Sequence, residues 1–173
     1  MADARINIEQ VNGLEDKQFE SIFSNVIELC PDAAVQAKKS KPFDSLSAVA
    51  RAFNKYLDNL SVEGKITILK LHPDLAGKLA SGELTRESAS EQRSAGLDKL
   101  TDEQRNIIQT ANERYKAKFG FPFIICAREN RVQAIIDNLR NRYNNTKEQE
   151  IINGINEVKK ICKLRLMGII KDD

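Results

Sequence analysis

The chain has 173 residues, 41% of them hydrophobic and 30% charged, and 27 Lys and Arg stand against 25 Asp and Glu for a net charge of +2. This is the size and mixture of one globular domain with a real core, and the near-balance of charge supplies no general attraction to nucleic acid or to an anionic membrane surface. The Ile, Leu, Val and Phe content excludes a disordered chain, and no apolar run reaches the length of a membrane span.

Helical spacing of apolar residues runs through almost the whole sequence. Residues 1–9 carry no pattern and read as a flexible N-terminus. Phe19, Ile22, Phe23, Val26 and Ile27 predict a helix capped by Asp16 and ended by Cys30-Pro31, since a residue before proline avoids the helical region. Pro31 is placed to open a short helix through Val35. Asp44 is a suitable cap for a helix with Leu46, Val49, Phe53, Leu57 and Leu60 on its buried stripe. Ser61 caps another, with Ile66 and Leu69 inward, which Pro73 terminates just after His72. Residues 74–84 lack a pattern. Thr85 then caps a helix ending near Gly96, and Thr101 with Gln104 forms a capping box for a longer one that Gly120 stops.

Phe121–Ala127 is the one continuous apolar run that could pass for a strand. With no partner to pair with, it reads as a buried loop or short helix. Val132, Ile135, Ile136, Leu139 and Tyr143 mark the next helix, and Thr146 with Gln149 begins a last one of about 20 residues, some 30 Å long. Residues 171–173 form a short tail. The expectation is an all-α chain: a single irregular bundle-like domain, 1–173, of about seven to eight helices. Cys30, Cys126 and Cys162 are odd in number and widely spaced, so they indicate neither a disulfide framework nor a zinc site and read as small buried hydrophobes.

His72 is the only histidine, which excludes His-rich metal sites and any two-histidine relay. A free imidazole titrates near pH ~6.5, so it serves as acid or base near neutrality. The tripeptide His72-Pro73-Asp74 resembles the chaperone-binding loop of J-domain co-chaperones, but the basic, tyrosine-bearing helix before it and the lysine after it are missing. Ser88, Glu91 and Gln92 lie three and four apart and share one helix face, which could offer an acceptor and an amide to a urea-like ligand. Taken alone, Glu91 would read as an exposed helix glutamate, and Arg165 as a surface arginine or half of a structural ion pair.

The longer strings are more informative. Leu71-His72-Pro73-Asp74-Leu75-Ala76-Gly77, Glu87-Ser88-Ala89-Ser90-Glu91-Gln92-Arg93-Ser94-Ala95-Gly96-Leu97, Asn112-Glu113-Arg114-Tyr115, Lys118 through Ala127 and Glu157 through Leu166 strongly resemble the OHCU decarboxylase family, where OHCU is 2-oxo-4-hydroxy-4-carboxy-5-ureidoimidazoline. The resemblance implies catalytic roles for His72, Glu91 and Arg165. It implies substrate contacts at Pro73, at Ser88, Ala89, Ser90, Glu91 and Gln92, and at Phe123, Ile124, Ile125, Cys126 and Ala127. The acidic residue often found before the glutamate is Ser90 here. The implied activity is decarboxylation of OHCU to (S)-allantoin in urate degradation, with no cofactor and no metal, by a homodimer. The glycines form neither a phosphate loop nor a dinucleotide fingerprint. The competing readings are a helical interaction module and an inactive relative that kept the fold. With no secretory signal and no Ser-Lys-Leu-type C-terminus, the expected compartment is cytoplasmic.

Overall fold

A computed structural model of the chain describes residues 3–79 and 81–171. Among these the secondary structure is helical throughout, apart from an isolated bridge between Ile6 and Ile170. The α-helices are α1 (Ile8–Asn12), α2 (Asp16–Ile22), α3 (Asp32–Ala37), α4 (Leu46–Asp58), α5 (Val62–Lys70), α6 (Arg86–Ser94), α7 (Asp102–Phe119), α8 (Val132–Arg142) and α9 (Lys147–Met167), with 3-10 turns at Lys38–Ser40 and Ala127–Glu129. The chain groups into two compact units, residues 1–64 with 159–173, and residues 65–158.

In the first unit, α3 packs on α2 and α4. Its core centres on Phe19, Phe23 and Phe53, fully or almost fully buried, with ring centroids 4.5 and 6.4 Å apart in succession. The bridge closes when the Ile6 N–H donates to Ile169 O at 2.9 Å and the Lys171 N–H to Ile6 O at 2.8 Å. Asn7 leads into α1, whose capping box joins Asn7 and Gln10. The stripe Leu46, Val49, Phe53 and Leu57 is buried, while Leu60 lies beyond α4 and is half-buried.

Three expectations for this unit need correction. The helix after residue 15 stops at Ile22 instead of reaching Cys30. Ser24 and Asn25 offer the backbone competing hydrogen bonds, and Asn25 Oδ1 accepts from the Leu29 N–H at 2.7 Å where Leu29 takes a positive φ of 52°. Val26 and Ile27 are nevertheless buried, and so is Glu28. The caps also move by one residue. Glu15, not Asp16, precedes α2, its N–H donating to Gln18 Oε1. Ser45, not Asp44, caps α4 by accepting from the Ala48 N–H at 3.1 Å. Neighbouring polar residues are nearly equivalent caps, and the register of the buried stripe decides between them.

In the second unit, α7 packs on α8, and α6 on the turn at 127–129. Thr85 and Thr101 cap α6 and α7, and Gly120 ends α7 at φ 83°, as their positions predict. Thr146 and Gln149 exchange the expected bonds at the start of α9. In α5, Ile68 and Leu69 point inward, whereas Ile66 is half-buried. Gly154 permits a close approach: a Cβ there would lie 2.8 Å from Leu69 Cδ2. The three cysteines are free and buried. Burial pushes the Cys126 thiol up to about 11, with the carboxylates of Glu129, Glu157 and Glu91 adding to it, and Cys162 up to about 12. Neither is a ready nucleophile.

Glu150 is fully buried in this unit. Its Oε1 accepts from Tyr115 at 2.5 Å and from Arg142 Nε at 2.9 Å, and its Oε2 from Asn145 at 3.0 Å and Asn153 at 2.7 Å. Burial opposes ionisation, but the bonds from Asn145, Tyr115 and Asn153 and the Arg142 charge outweigh it and hold the carboxyl below its usual 4.5. A depressed carboxylate stabilises the fold fully above its unfolded value, and loses that contribution as pH falls through the lower folded one. Urea midpoints should therefore fall as pH drops below about 4.5, and Glu150→Gln should flatten that limb; an unchanged acid slope in the variant would count against it.

Candidate active site

The Thr85 hydroxyl accepts from the Ser88 N–H at 3.2 Å and starts α6. The turn geometry then places Ser88, Glu91 and Gln92 on one buried face, each at most 8% exposed. Three polar side chains buried together on a short helix are costly unless partners meet them. The Gln92 amide meets the loop after His72: its Oε1 accepts from the Ala76 N–H at 2.9 Å and its Nε2 donates to Asp74 O at 3.3 Å. Asn112 of α7, also buried, donates to Leu75 O at 3.2 Å, and Lys116 pairs with the Asp74 carboxylate at 3.2 Å. Residues 74–76 are thus gripped in succession by side chains from two helices. Ala76 holds a positive φ of 65° inside that grip, a strained conformation for a residue with a Cβ.

His72 follows the end of α5, 8% exposed, its N–H donating to Leu69 O. Its Nδ1 lies 3.0 Å from Ile68 O. A carbonyl only accepts, so Nδ1 carries the hydrogen, and in the neutral ring Nε2 holds the basic lone pair. A cavity of about 230 Å³ opens beside the 74–77 loop and against Ile108, Gln109 and Asn112 of α7. Neither His72 nor Glu91 lines it, so it is not where their chemistry would occur.

The segment 121–127 is buried along its whole length and has no strand partner among the described residues, so side chains must satisfy its backbone. Arg142 Nη1 donates to Ile124 O at 2.7 Å, the Cys126 N–H to Glu157 Oε1 at 3.0 Å, and Asn130 Nδ2 to Cys126 O at 2.9 Å. Among the described residues no hydrogen bond reaches the backbone of Phe123 or Ile125. The next turn is joined to α6 where Arg128 Nη2 approaches Ser90 Oγ at 3.5 Å.

The expected site residues therefore fall into two groups. His72, Pro73, Ser88–Gln92 and Phe123–Ala127 all belong to the unit 65–158. Arg165 belongs to the other unit, where it is buried and donates from Nη1 to Asn25 O at 2.8 Å and Glu28 Oε1 at 3.2 Å. Sequence reasoning assigned no role to Asn112, Arg142, Glu150, Glu157 or Glu28. Asn112 and Glu157 lie inside the family-like strings, but nothing marks Glu28. Among the described residues no group of three His, Cys, Asp or Glu side chains could hold a metal ion.

The family model described as OHCU decarboxylase matches residues 12–167. The chain belongs to the OHCU decarboxylase family. Family relatives include the 2-oxo-4-hydroxy-4-carboxy-5-ureidoimidazoline decarboxylases of Amia calva, 41% identical over 96% of this chain and 95% of that protein, and of Xenopus laevis, 37% identical over 97% of each. A crystal structure of OHCU decarboxylase in the presence of (S)-allantoin superimposes with a TM-score of 0.68 at 25% identity, over 88% of this chain and 96% of that one. An (S)-allantoin synthase structure shares the family's fold at a TM-score of 0.78, with 22% identity, over 96% of this chain and 54% of that one.

Proposed function

We infer that this chain decarboxylates OHCU, releasing carbon dioxide and giving (S)-allantoin. The observation that carries this is end-to-end similarity, 41% over 167 residues, to a relative named for that reaction, and the family strings contain the buried polar face of α6 and the gripped loop after His72. The chemistry needs no external electron sink. As the carboxylate carbon leaves as carbon dioxide, its bonding pair forms a C=C bond within the ring, and the adjacent C=N takes up the displaced pair on nitrogen with a proton. The resulting enol loses its hydroxyl proton, while the ureido-bearing carbon gains one on a single face.

His72 handles the proton at the hydroxyl-bearing carbon, a role its Nε2 lone pair suits. Glu91 receives the ureido N–H groups and biases the face on which the new C–H bond forms. Pro73, Ser88–Gln92 and Phe123–Ala127 contact the substrate, the backbone groups of Phe123 and Ile125 serving its ring; Gln92 does so with what its loop bonds leave. For Arg165, orientation of the anionic substrate rests on the resemblance, and its pair with Glu28 is a second account of its burial. A homodimer in the cytoplasm completes the reading; light scattering at the monomer mass of 19.5 kDa would reject the dimer, and cell fractionation checks the compartment.

The test is to mix the protein with freshly generated OHCU and follow carbon dioxide and the circular dichroism of the product. Accelerated formation of (S)-allantoin, undiminished by exhaustive chelation, is expected. Unchanged, racemic decay would sink the reading in favour of an inactive relative.

A further inference from the structure

We propose that Arg142 is a positioning residue for the decarboxylation, its guanidinium locked by the buried Glu150 so that it sets the backbone of segment 123–127 for the substrate. This rests on the reading above, in which that segment contacts OHCU. A largely buried arginine, 11% exposed, paired with a fully buried carboxylate is a weak device for stability alone, because desolvating both charges offsets most of their attraction. Here the pair is built for direction. Arg142 Nε is taken by Glu150 Oε1 at 2.9 Å, which fixes the plane of the fork and aims Nη1 at Ile124 O at 2.7 Å. The guanidinium carbon lies 4.4 Å from the centroid of the Phe123 ring, and Tyr115, bonded to the same Glu150, meets that ring edge-on at 5.4 Å. One network therefore holds both a backbone carbonyl and a side chain of the segment.

The pattern along the segment supports the same conclusion. In extended chain the backbone polar groups of successive residues face opposite sides, so those of residues 124 and 126 share one side and those of 123 and 125 the other. Arg142, Glu157 and Asn130 between them occupy groups of residues 124 and 126. The groups of Phe123 and Ile125, which carry no bond among the described residues, are those left for a ligand. Without Arg142 the Ile124 carbonyl is a buried acceptor without a donor, and the segment relaxes to find one. A relaxed segment meets the substrate with its ring-binding groups misplaced, which weakens binding before it touches the proton chemistry at His72.

Arg142→Lys and Arg142→Gln, with wild type alongside, test this through KM, kcat and melting temperature. Lysine can keep the charge beside Glu150 but cannot serve Glu150 and Ile124 O together through one planar fork. The expected result is a KM raised on the order of ten-fold in the lysine variant and more in the glutamine variant, with kcat changed far less. Lower melting temperatures with KM and kcat as in wild type would overturn the proposal, leaving a structural ion pair. If the glutamine variant does not fold, the lysine variant alone decides by the same criterion. Inactive wild type would instead overturn the underlying reading.

Discussion

His72→Asn should fold and yet lose about 10²–10⁴-fold in turnover, the usual worth of a positioned proton-transfer group. The ring is 8% exposed and held at the end of α5 through Nδ1 and Ile68 O. An asparagine amide can reach the same carbonyl with an N–H and suits a helix end, so the local structure has a substitute donor. What it lacks is the Nε2 lone pair that takes up and returns the proton. OHCU decays on its own, so rates need that background subtracted, and the handedness of the allantoin separates enzymatic from spontaneous product. A folded variant that still makes (S)-allantoin at wild-type turnover would remove His72 from the proton-handling role and leave Glu91 as the next candidate.

Arg165→Met should cost about 3–5 kcal/mol of stability, because it removes the cation paired with a buried carboxylate. The Arg165 and Glu28 side chains are 5% and 2% exposed and meet at 3.2 Å, so solvent screens the pair little. Glu28 keeps an amide bond from Asn25 at 3.1 Å after the arginine is gone, which softens the loss without removing it. The double variant Arg165→Met with Glu28→Leu should regain much of the stability, since replacing both members of a buried pair with apolar groups is often near neutral. Urea denaturation of wild type, both single variants and the double variant measures this. The same proteins separate the two accounts of Arg165. If the folded double variant turns over OHCU with wild-type KM and kcat, the arginine is structural and its substrate role falls. If stability returns while KM stays high, the guanidinium acts on the substrate as well. Wild-type stability in Arg165→Met would reject the buried-pair argument itself.

Local signals in the sequence determined most of the helices. Thr85, Thr101 with Gln104, Gly120 and Thr146 with Gln149 mark ends whose capping bonds form within a few residues, so no distant partner is needed to foresee them. The shared face of Ser88, Glu91 and Gln92 follows from helix geometry in the same way, and the ordered strings from His72 to Arg165 were sufficient for the family. Other features depended on contacts between residues far apart. Periodicity alone would carry α2 on to Cys30, yet the chain turns after Ile22, where Glu28 is drawn to Arg165, 137 residues away. Segment 121–127 is apolar and unpartnered in sequence, and its extended path is held by Arg142, Glu157 and Asn130 from later in the chain. The grip of Gln92 and Asn112 on residues 74–76 spans 16 to 37 residues. Buried backbone groups and buried charges must find partners wherever the fold brings them, and one-dimensional spacing carries no information about which distant side chain will arrive.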